Sequence, residues 1–480
     1  MNKLKLFVEN FLVYGLGGTI SKIIPFIMVP IVTKLMPDTA YYGLSDMSQT
    51  IVSLASAVAV MGMYDAMYRM FFDREDEQYK RIVCSTTMLF TLGTSIVVSV
   101  ILILVRKWIA AFFFENEKYA YLVYLTAIAT LCGATNTIIS APTRMQNKKR
   151  VFLVTNTIGP LISYGIAIPL LKRGYYVIAL PLSICISRLS LEIAFGIMNR
   201  KWFSPKLFDA SLLKELFRIG LPLMPNFLVY WIFNSSDRVM ITRLIGLGES
   251  GIYSVGAKLG MASQLIYTAF AGGWQFFAFS TMKEEKQVEN NSKVFEYLGC
   301  ISFVATLFIC VLSKPIFSML FSEEYHKAFI VAPYLFLAPL LQMLFQVACN
   351  QFIVIKKTWP NMAILSLGAF VNILLNLLLI PRLGIEGASI ATMVGYTISD
   401  VVCVFVLCRL QLMKLSKRFI TAVLIFGCTL VAWRLVLLPL AWWINIIPIT
   451  GISLIIMWLY RDELYFLLGL LRKKGYNHSR

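Results

Sequence analysis

About fourteen apolar stretches, each long enough to cross a bilayer, run between Phe11 and Tyr460, and basic residues crowd into every second gap between them. A helix needs roughly 20 mainly apolar residues to cross the hydrocarbon core. Lipid offers no hydrogen bonds to backbone N–H and C=O groups, so apolar runs of that length must be helices. Runs such as 96–105, 424–440 and 444–459 lack the period-two alternation of an outer-membrane barrel. The expected fold class is therefore all-α: a polytopic membrane protein with about 14 transmembrane helices.

The chain is 58% hydrophobic and 14% charged, far from the balance of a soluble domain. A net charge of +19 on a soluble protein would point to nucleic acid. Here the 44 lysines and arginines are spread over short loops, where they set topology and meet anionic headgroups. Membrane lipids are the expected partner and nucleic acid is not. With the N-terminus inside, the basic gaps fall on the cytoplasmic side, and both termini are expected there. The run 11–36 lacks a small-x-small cleavage site and reads as a retained first helix. None of the nine cysteines forms a CxxC pair, so small packing residues are their expected role. His326 and His478 are the only histidines, which leaves imidazole catalysis and metal binding poorly provided for.

An internal repeat divides the chain. Thr33-Lys34-Leu35-Met36-Pro37, followed by Tyr42-Gly43-Leu44-Ser45, finds its counterpart in Thr242-Arg243-Leu244-Ile245-Gly246, followed by Gly251-Ile252-Tyr253-Ser254. Six helices per unit is an even number, so the second unit starts on the same side as the first, as a parallel repeat. The expected domains are a six-helix bundle over 1–200, a cytoplasmic linker with an interfacial helix over 201–218, and a second, pseudo-symmetric six-helix bundle over 219–410. Two additional C-terminal helices and a basic cytoplasmic tail follow over 411–480. Two fused bundles enclose a cleft, and a monomer suffices. Pro25, Pro30, Pro222 and Pro225 fall in the repeat-related first and seventh helices and are expected to kink them.

The stretch Gly220-Leu221-Pro222-Leu223-Met224-Pro225-Asn226, then Ser235-Ser236-Asp237-Arg238-Val239-Met240-Ile241 and Gly251-Ile252-Tyr253-Ser254, resembles the seventh and eighth helices of polysaccharide-biosynthesis flippases. These sit in a superfamily with multidrug and toxin extruders and peptidoglycan lipid flippases. Tyr42-Gly43-Leu44, Asp65 to Arg69, Trp274-Gln275-Phe276, and Asn372 to Pro381 with Leu383 to Ala388 extend the resemblance over essentially the whole chain. It implies a transporter rather than an enzyme. The implied substrate is a polyprenyl-diphosphate-linked oligosaccharide, the repeat unit of a surface polysaccharide such as the O-antigen of lipopolysaccharide. The implied route is from the cytoplasmic to the outer leaflet of a bacterial inner membrane by alternating access, beside a polysaccharide polymerase and other assembly proteins.

A charged residue near the bilayer centre costs about 2.5–3.5 kcal/mol on insertion scales, so embedded ionisable residues are functional candidates. Lys22, Arg188, Arg238 and Lys258 lie deepest. Lys22 and Lys258 have no sequence-near partner and lead as cations facing the cleft. Arg188 stands four residues before Glu192, and Arg238 adjoins Asp237, about 100° away around a helix. Fixed cations offset the cost of moving a diphosphate, and guanidinium forks suit phosphate oxygens. Asn226, Gln264 and Gln275, with Asn234, Asn350, Tyr230 and Trp231, offer sugars hydrogen bonds and stacking surfaces. Asp400 is the clearest unpaired acid; with Asp237 it is the expected point of coupling to an H+ or Na+ gradient. No cofactor or metal is expected. Lys34, Arg243 and Arg434, near helix ends, are expected to snorkel, and Arg69 to pair with Asp65 one turn earlier.

Other readings share parts of this pattern. A peptidoglycan-precursor flippase would use the same cations and fold. An ion-coupled multidrug extruder would favour embedded acids over bases. A membrane glycan polymerase or ligase would need a large outer loop and a reacting constellation, and the sequence offers neither.

Overall fold

The structure, a computed structural model, describes residues 23–267, 270, 274, 278, 284–357 and 359–462. The described residues contain helices and no strand. In chain order these are α1 (Ile23–Lys34), α2 (Thr39–Val60), α3 (Glu77–Leu104), α4 (Glu117–Met145), α5 (Arg150–Lys172), α6 (Tyr176–Met198) and α7 (Ala210–Ile245). After them come α8 (Leu247–Gly260), α9 (Gln287–Leu320), α10 (Ala332–Val354), α11 (Trp359–Leu383), α12 (Ile385–Arg409), α13 (Lys417–Leu437) and α14 (Ile446–Trp458). Ten described helices are long and apolar enough to cross a membrane. They become eleven when α2 is joined with Met63–Phe71, which is bent 48° from it. The full-length spans among the described residues therefore number ten or eleven, against about fourteen expected.

The bend after α2 is made by Met61 and Gly62, both left-handed, at φ 48° and 71°. Gly62 is required there twice over. Its φ suits glycine, and a Cβ would stand 2.2 Å from the carbonyl oxygen of Gly220 in α7. The helix expected in the linker runs directly into the seventh span, and the two together form α7. Asp209 caps it, accepting from the Ser211 and Leu212 amides at 2.8 and 3.1 Å. Leu212 and Leu216 bury against Met63, Met67 and Trp202. Helix α7 is irregular where its prolines fall, with a 3-10 turn at Leu221–Leu223, and again at a π-bulge over Ile232–Ser236. Proline removes a ladder bond, which accounts for the first irregularity.

The repeat becomes geometry where α2 crosses α8. A Cβ on Gly43 would lie 2.3 Å from the Leu247 carbonyl oxygen, and a Cβ on Gly251 would lie 2.2 Å from that of Thr39. Thr39 and Leu247 are 208 residues apart, as are Gly43 and Gly251. The contact is thus reciprocal, glycine to backbone in both directions, as expected where small residues let membrane helices approach. The same end is reinforced by Glu115, whose Oε2 accepts from the Leu247 amide at 3.1 Å.

Helices α13 and α14 attach to the second half. Arg434, expected to snorkel, forks onto Glu386 at the start of α12, with Nη2 to Oε2 at 2.8 Å and Nε donating to Oε1. Burial of Glu386 explains the difference, because its carboxylate needs a partner more than Arg434 needs the interface. At the other end of the pair, Glu296 in α9 accepts from the Ser416 amide at 2.6 Å, the Ser416 hydroxyl at 2.7 Å and the Tyr460 hydroxyl at 2.9 Å. Phe303 stacks on Phe426 between them, centroids 4.5 Å apart.

Candidate functional site

Just inside the glycine crossing, charge links the two halves. Asp46, one turn past Gly43 on α2, meets Arg238 of α7, Oδ2 to Nε 3.1 Å. Ser254 of α8 donates to the same Asp46 Oδ2 at 2.6 Å. Arg238 is 9% exposed and also donates through Nη1 to the Asn234 carbonyl at 2.7 Å. Asp237, 4% exposed, turns the other way, accepting from the Tyr253 hydroxyl and from the Arg238 amide. Adjacent helical residues cannot pair side by side, so each finds a partner on another helix.

A π-bulge inserts one residue into the turn and is often found at functional sites. The bulge at Ile232–Ser236 immediately precedes this pair. It places Phe233 flat on Tyr396 of α12, centroids 4.0 Å apart. Gly368 and Gly395 leave the space for that ring, since a Cβ on either would approach it to 3.2 and 3.0 Å. A cavity of about 40 Å³ opens beside the stack, lined by Asn234, Asp237, Arg238, Gln264, Gln342 and Thr392 among others.

In the first half, Arg188 of α6 does not pair with Glu192. Its Nη2 donates to Gln49 Oε1 of α2 and its Nη1 to the Ala129 carbonyl of α4, both at 3.1 Å. Gly133 makes this reach possible, because a Cβ there would stand 2.6 Å from Nη1. Both partners are neutral, so the cation keeps its charge uncompensated by a contacting carboxylate. Lys258, one turn beyond Ser254 on α8, lies within electrostatic range of Asp46 and Arg238 but forms no ion pair among the described residues.

The residues singled out from sequence divide accordingly. Asp237, Arg238 and Gln264 line one cavity, and Lys258 stands near it. Arg238, one of the deep cations expected to meet the substrate, is committed to Asp46; a buried guanidinium captures the nearest carboxylate. Arg188 belongs to the other half. Asn226 is half-buried, eleven residues before Asp237 and outside the cavity. Trp231 is used between the halves, its Nε1 donating to Ser53 Oγ at 3.0 Å. Asp400 is 7% exposed, and neither carboxyl oxygen has a hydrogen-bond partner among the described residues. Lys22 and Gln275 lie outside the described residues.

Sequence reasoning missed Asp46, Gln49 and Gly133. Asp46 was findable: it is an acid inside an apolar stretch, 208 residues before Ser254 in the repeat. Gln49 and Gly133 carried no signal apart from their partner.

The family described as "Polysaccharide biosynthesis protein" matches over residues 7–282. An uncharacterized membrane protein of Methanocaldococcus jannaschii, MJ1068, is 26% identical over 245 residues, 48% of each chain. The lipopolysaccharide biosynthesis protein WzxC of Escherichia coli is 19% identical over 346 residues, 70% of this chain and 64% of that one. The chain thus spans about half to under two thirds of the length of these relatives. In fold it is similar to the lipid II flippase MurJ in an inward closed conformation, with TM-score 0.72, 15% identity, 95% of this chain and 100% of that one covered. It is also similar to an inward-facing multidrug resistance MATE family transporter of the MOP superfamily, with TM-score 0.58, 14% identity, and 82% and 98% covered.

Proposed function

The chain belongs to the polysaccharide biosynthesis protein family, and from that premise we propose that it is a flippase for a polyprenyl-diphosphate-linked oligosaccharide. The end bearing the basic loops faces the cytoplasm in this reading. Substrate is taken up there and released at the outer leaflet of a bacterial inner membrane. WzxC is named for lipopolysaccharide biosynthesis, and MurJ is named as a lipid flippase; both names agree with a lipid-linked cargo.

Arg188 is the observation that carries the proposal. It is held in the first half by Gln49 and the Ala129 carbonyl, with room cleared by Gly133 and no carboxylate in contact among the described residues. A cation kept in a membrane protein without a counter-charge is costly unless a ligand supplies one. A diphosphate does so, and the remaining guanidinium N–H groups fit its oxygens. Lys258 supplies a second charge from the other half. The Asp46–Arg238 pair and the glycine crossing hold the opposite end shut, and release outward requires them to part. Asp400 is the proposed coupling group, because a buried carboxyl with no partner among the described residues is most cheaply held neutral or with a bound cation. The cycle would draw on an H+ or Na+ gradient through it.

The test is reconstitution in liposomes with a fluorescent polyprenyl-diphosphate disaccharide added to one leaflet. Transfer to the other leaflet by the wild type, lost in Arg188→Gln, supports the reading. No transfer above protein-free liposomes, or equal transfer by Arg188→Gln, overturns it.

A further inference from the structure

A second polar site lies at the basic end of the molecule, on the bent helix Met63–Phe71. Met63, Ala66, Met67, Met70 and Phe71 bury one face of that helix. The other face carries Tyr64, Asp65, Tyr68 and Arg69, with Phe72 just past its end. Tyr64 and Tyr68 have centroids 6.0 Å apart, and Tyr68 and Phe72 5.6 Å. Their spacing is that of residues four apart, so the rings form a ladder along one face. Tyr68 is 39% exposed and Phe72 54%. Arg144, from the end of α4, closes the far side, its Nη1 3.5 Å from the Tyr64 hydroxyl. Tyr64, Asp65, Tyr68, Arg69 and Arg144 line an open pocket of about 700 Å³.

The pairing expected between Asp65 and Arg69 is not made. Among the described residues neither forms an ion pair, although they stand one turn apart. A carboxylate that only accepts, two guanidiniums that only donate and a phenol that does both therefore face one space together. A phosphate would satisfy the two arginines but would be repelled by Asp65. A polyhydroxyl ligand donates and accepts at every position, and satisfies all of them. The exposed rings offer flat apolar faces that can lie against the C–H faces of sugar rings. An interfacial aromatic belt would turn such rings to lipid, whereas Tyr64 and Tyr68 border a pocket shared with three charged groups.

We propose that this pocket binds the glycan of the lipid-linked substrate at the cytoplasmic mouth, before the diphosphate reaches Arg188. The proposal rests on the flippase reading and adds a subsite for the sugars, distinct from the site for the phosphates. The backbone at Met61 and Gly62 is the device that builds it. The 48° bend swings Met63–Phe71 out of line with α2, so the ladder meets Arg144.

Full-length protein in nanodiscs would be titrated with two kinds of probe. The first is a panel of phosphate-free trisaccharides covering neutral, N-acetylated and uronic acid sugars, with binding read by saturation-transfer NMR. The second is polyprenyl diphosphate without sugar, read by displacement of a fluorescent analogue. At least one trisaccharide should bind the wild type. Its affinity should fall about tenfold in Tyr68→Ala and in Asp65→Asn, and stay close to wild type in Tyr68→Phe, which keeps the ring. Polyprenyl diphosphate should bind all four proteins alike. Trisaccharide binding equal in every variant, or no trisaccharide bound by the wild type, overturns the pocket assignment. If Tyr68→Ala and Asp65→Asn instead weaken polyprenyl diphosphate, the pocket is a headgroup site and the glycan assignment is wrong. Polyprenyl diphosphate that fails to bind the wild type, while trisaccharide binds and responds to Tyr68→Ala, sinks the flippase reading and leaves the sugar site standing.

Discussion

Asp46 and Ser254 occupy equivalent positions in the two halves, 208 residues apart, and are hydrogen-bonded to each other across the crossing of α2 and α8. One copy of the repeat supplies a carboxylate and the other a hydroxyl. Arg238 completes the pair from α7. The two halves thus differ where they touch, and a single buried guanidinium holds the charged contact between them.

Breaking that pair from one side should be costly. Arg238→Gln leaves Asp46 with only Ser254, and Asp46→Asn leaves Arg238 without a carboxylate. Each should destabilise the purified protein by about 3–5 kcal/mol. The double variant should lose clearly less than the sum, because neither member of the pair is left facing a missing partner. Thermal unfolding in detergent, arranged as a double-mutant cycle, measures this. Strict additivity would mean that the two side chains do not interact.

The glycine crossing has a sharper signature. Gly251→Ala brings a methyl group against the Thr39 carbonyl, and Gly43→Ala does the same at Leu247. Backbone atoms cannot turn aside, so each substitution should hold that end apart. A cysteine placed at Ser254, with the nine native cysteines replaced, should then react with a membrane-impermeant maleimide from outside the cell. The protein with both glycines intact should react slowly. Equal labelling with and without Gly251→Ala would show that this crossing does not close the molecule.

Gly133→Ala tests the placement of Arg188 without touching its charge. The new methyl would lie 2.6 Å from Nη1, the far end of a flexible side chain, so the protein should fold and the guanidinium should move. Surface polysaccharide should fall several-fold while protein in the membrane stays constant. Lys258→Ala should act in the same direction. Wild-type polysaccharide from a double Gly133→Ala, Lys258→Ala variant would dismiss both as substrate contacts.

Asp400→Asn removes an ionisable group and keeps the shape. Thermal stability should be unchanged or rise, because an amide carries no charge to bury. Transport in liposomes should lose its response to an imposed proton or sodium gradient while downhill exchange continues. A variant that still answers to either gradient would move the coupling site elsewhere.

Much of the helical order was legible because membrane burial writes itself as long apolar runs and alternating charge. The repeat was legible at Gly43 and Gly251 because a close backbone crossing tolerates no side chain. Arg434 was misread because its position near a helix end suggests snorkelling, while its partner Glu386 lies on another helix 48 residues earlier. Asp65 and Arg69 were misread for the opposite reason: helical spacing permits a pair, but the bend after α2 opens a pocket between them and their surroundings. Periodicity describes one helix at a time. It carries no term for the side chain that arrives from a neighbour, which is how Gln49 and Gly133 came to matter for Arg188.

The fastening of the last two helices has a consequence for how such a chain can change. Glu386 depends on Arg434, and Glu296 depends on Ser416 and Tyr460. Both carboxylates belong to the repeated body; within it Tyr334 donates to Glu386 at 3.3 Å, while the guanidinium on Glu386 and the donors to Glu296 named above come from the addition. Shortening the protein after α12 would leave Glu386 with the Tyr334 hydroxyl but no counter-charge, and would take from Glu296 the three donors named above. The extension is therefore hard to discard: its loss would call for neutralising substitutions at both acids.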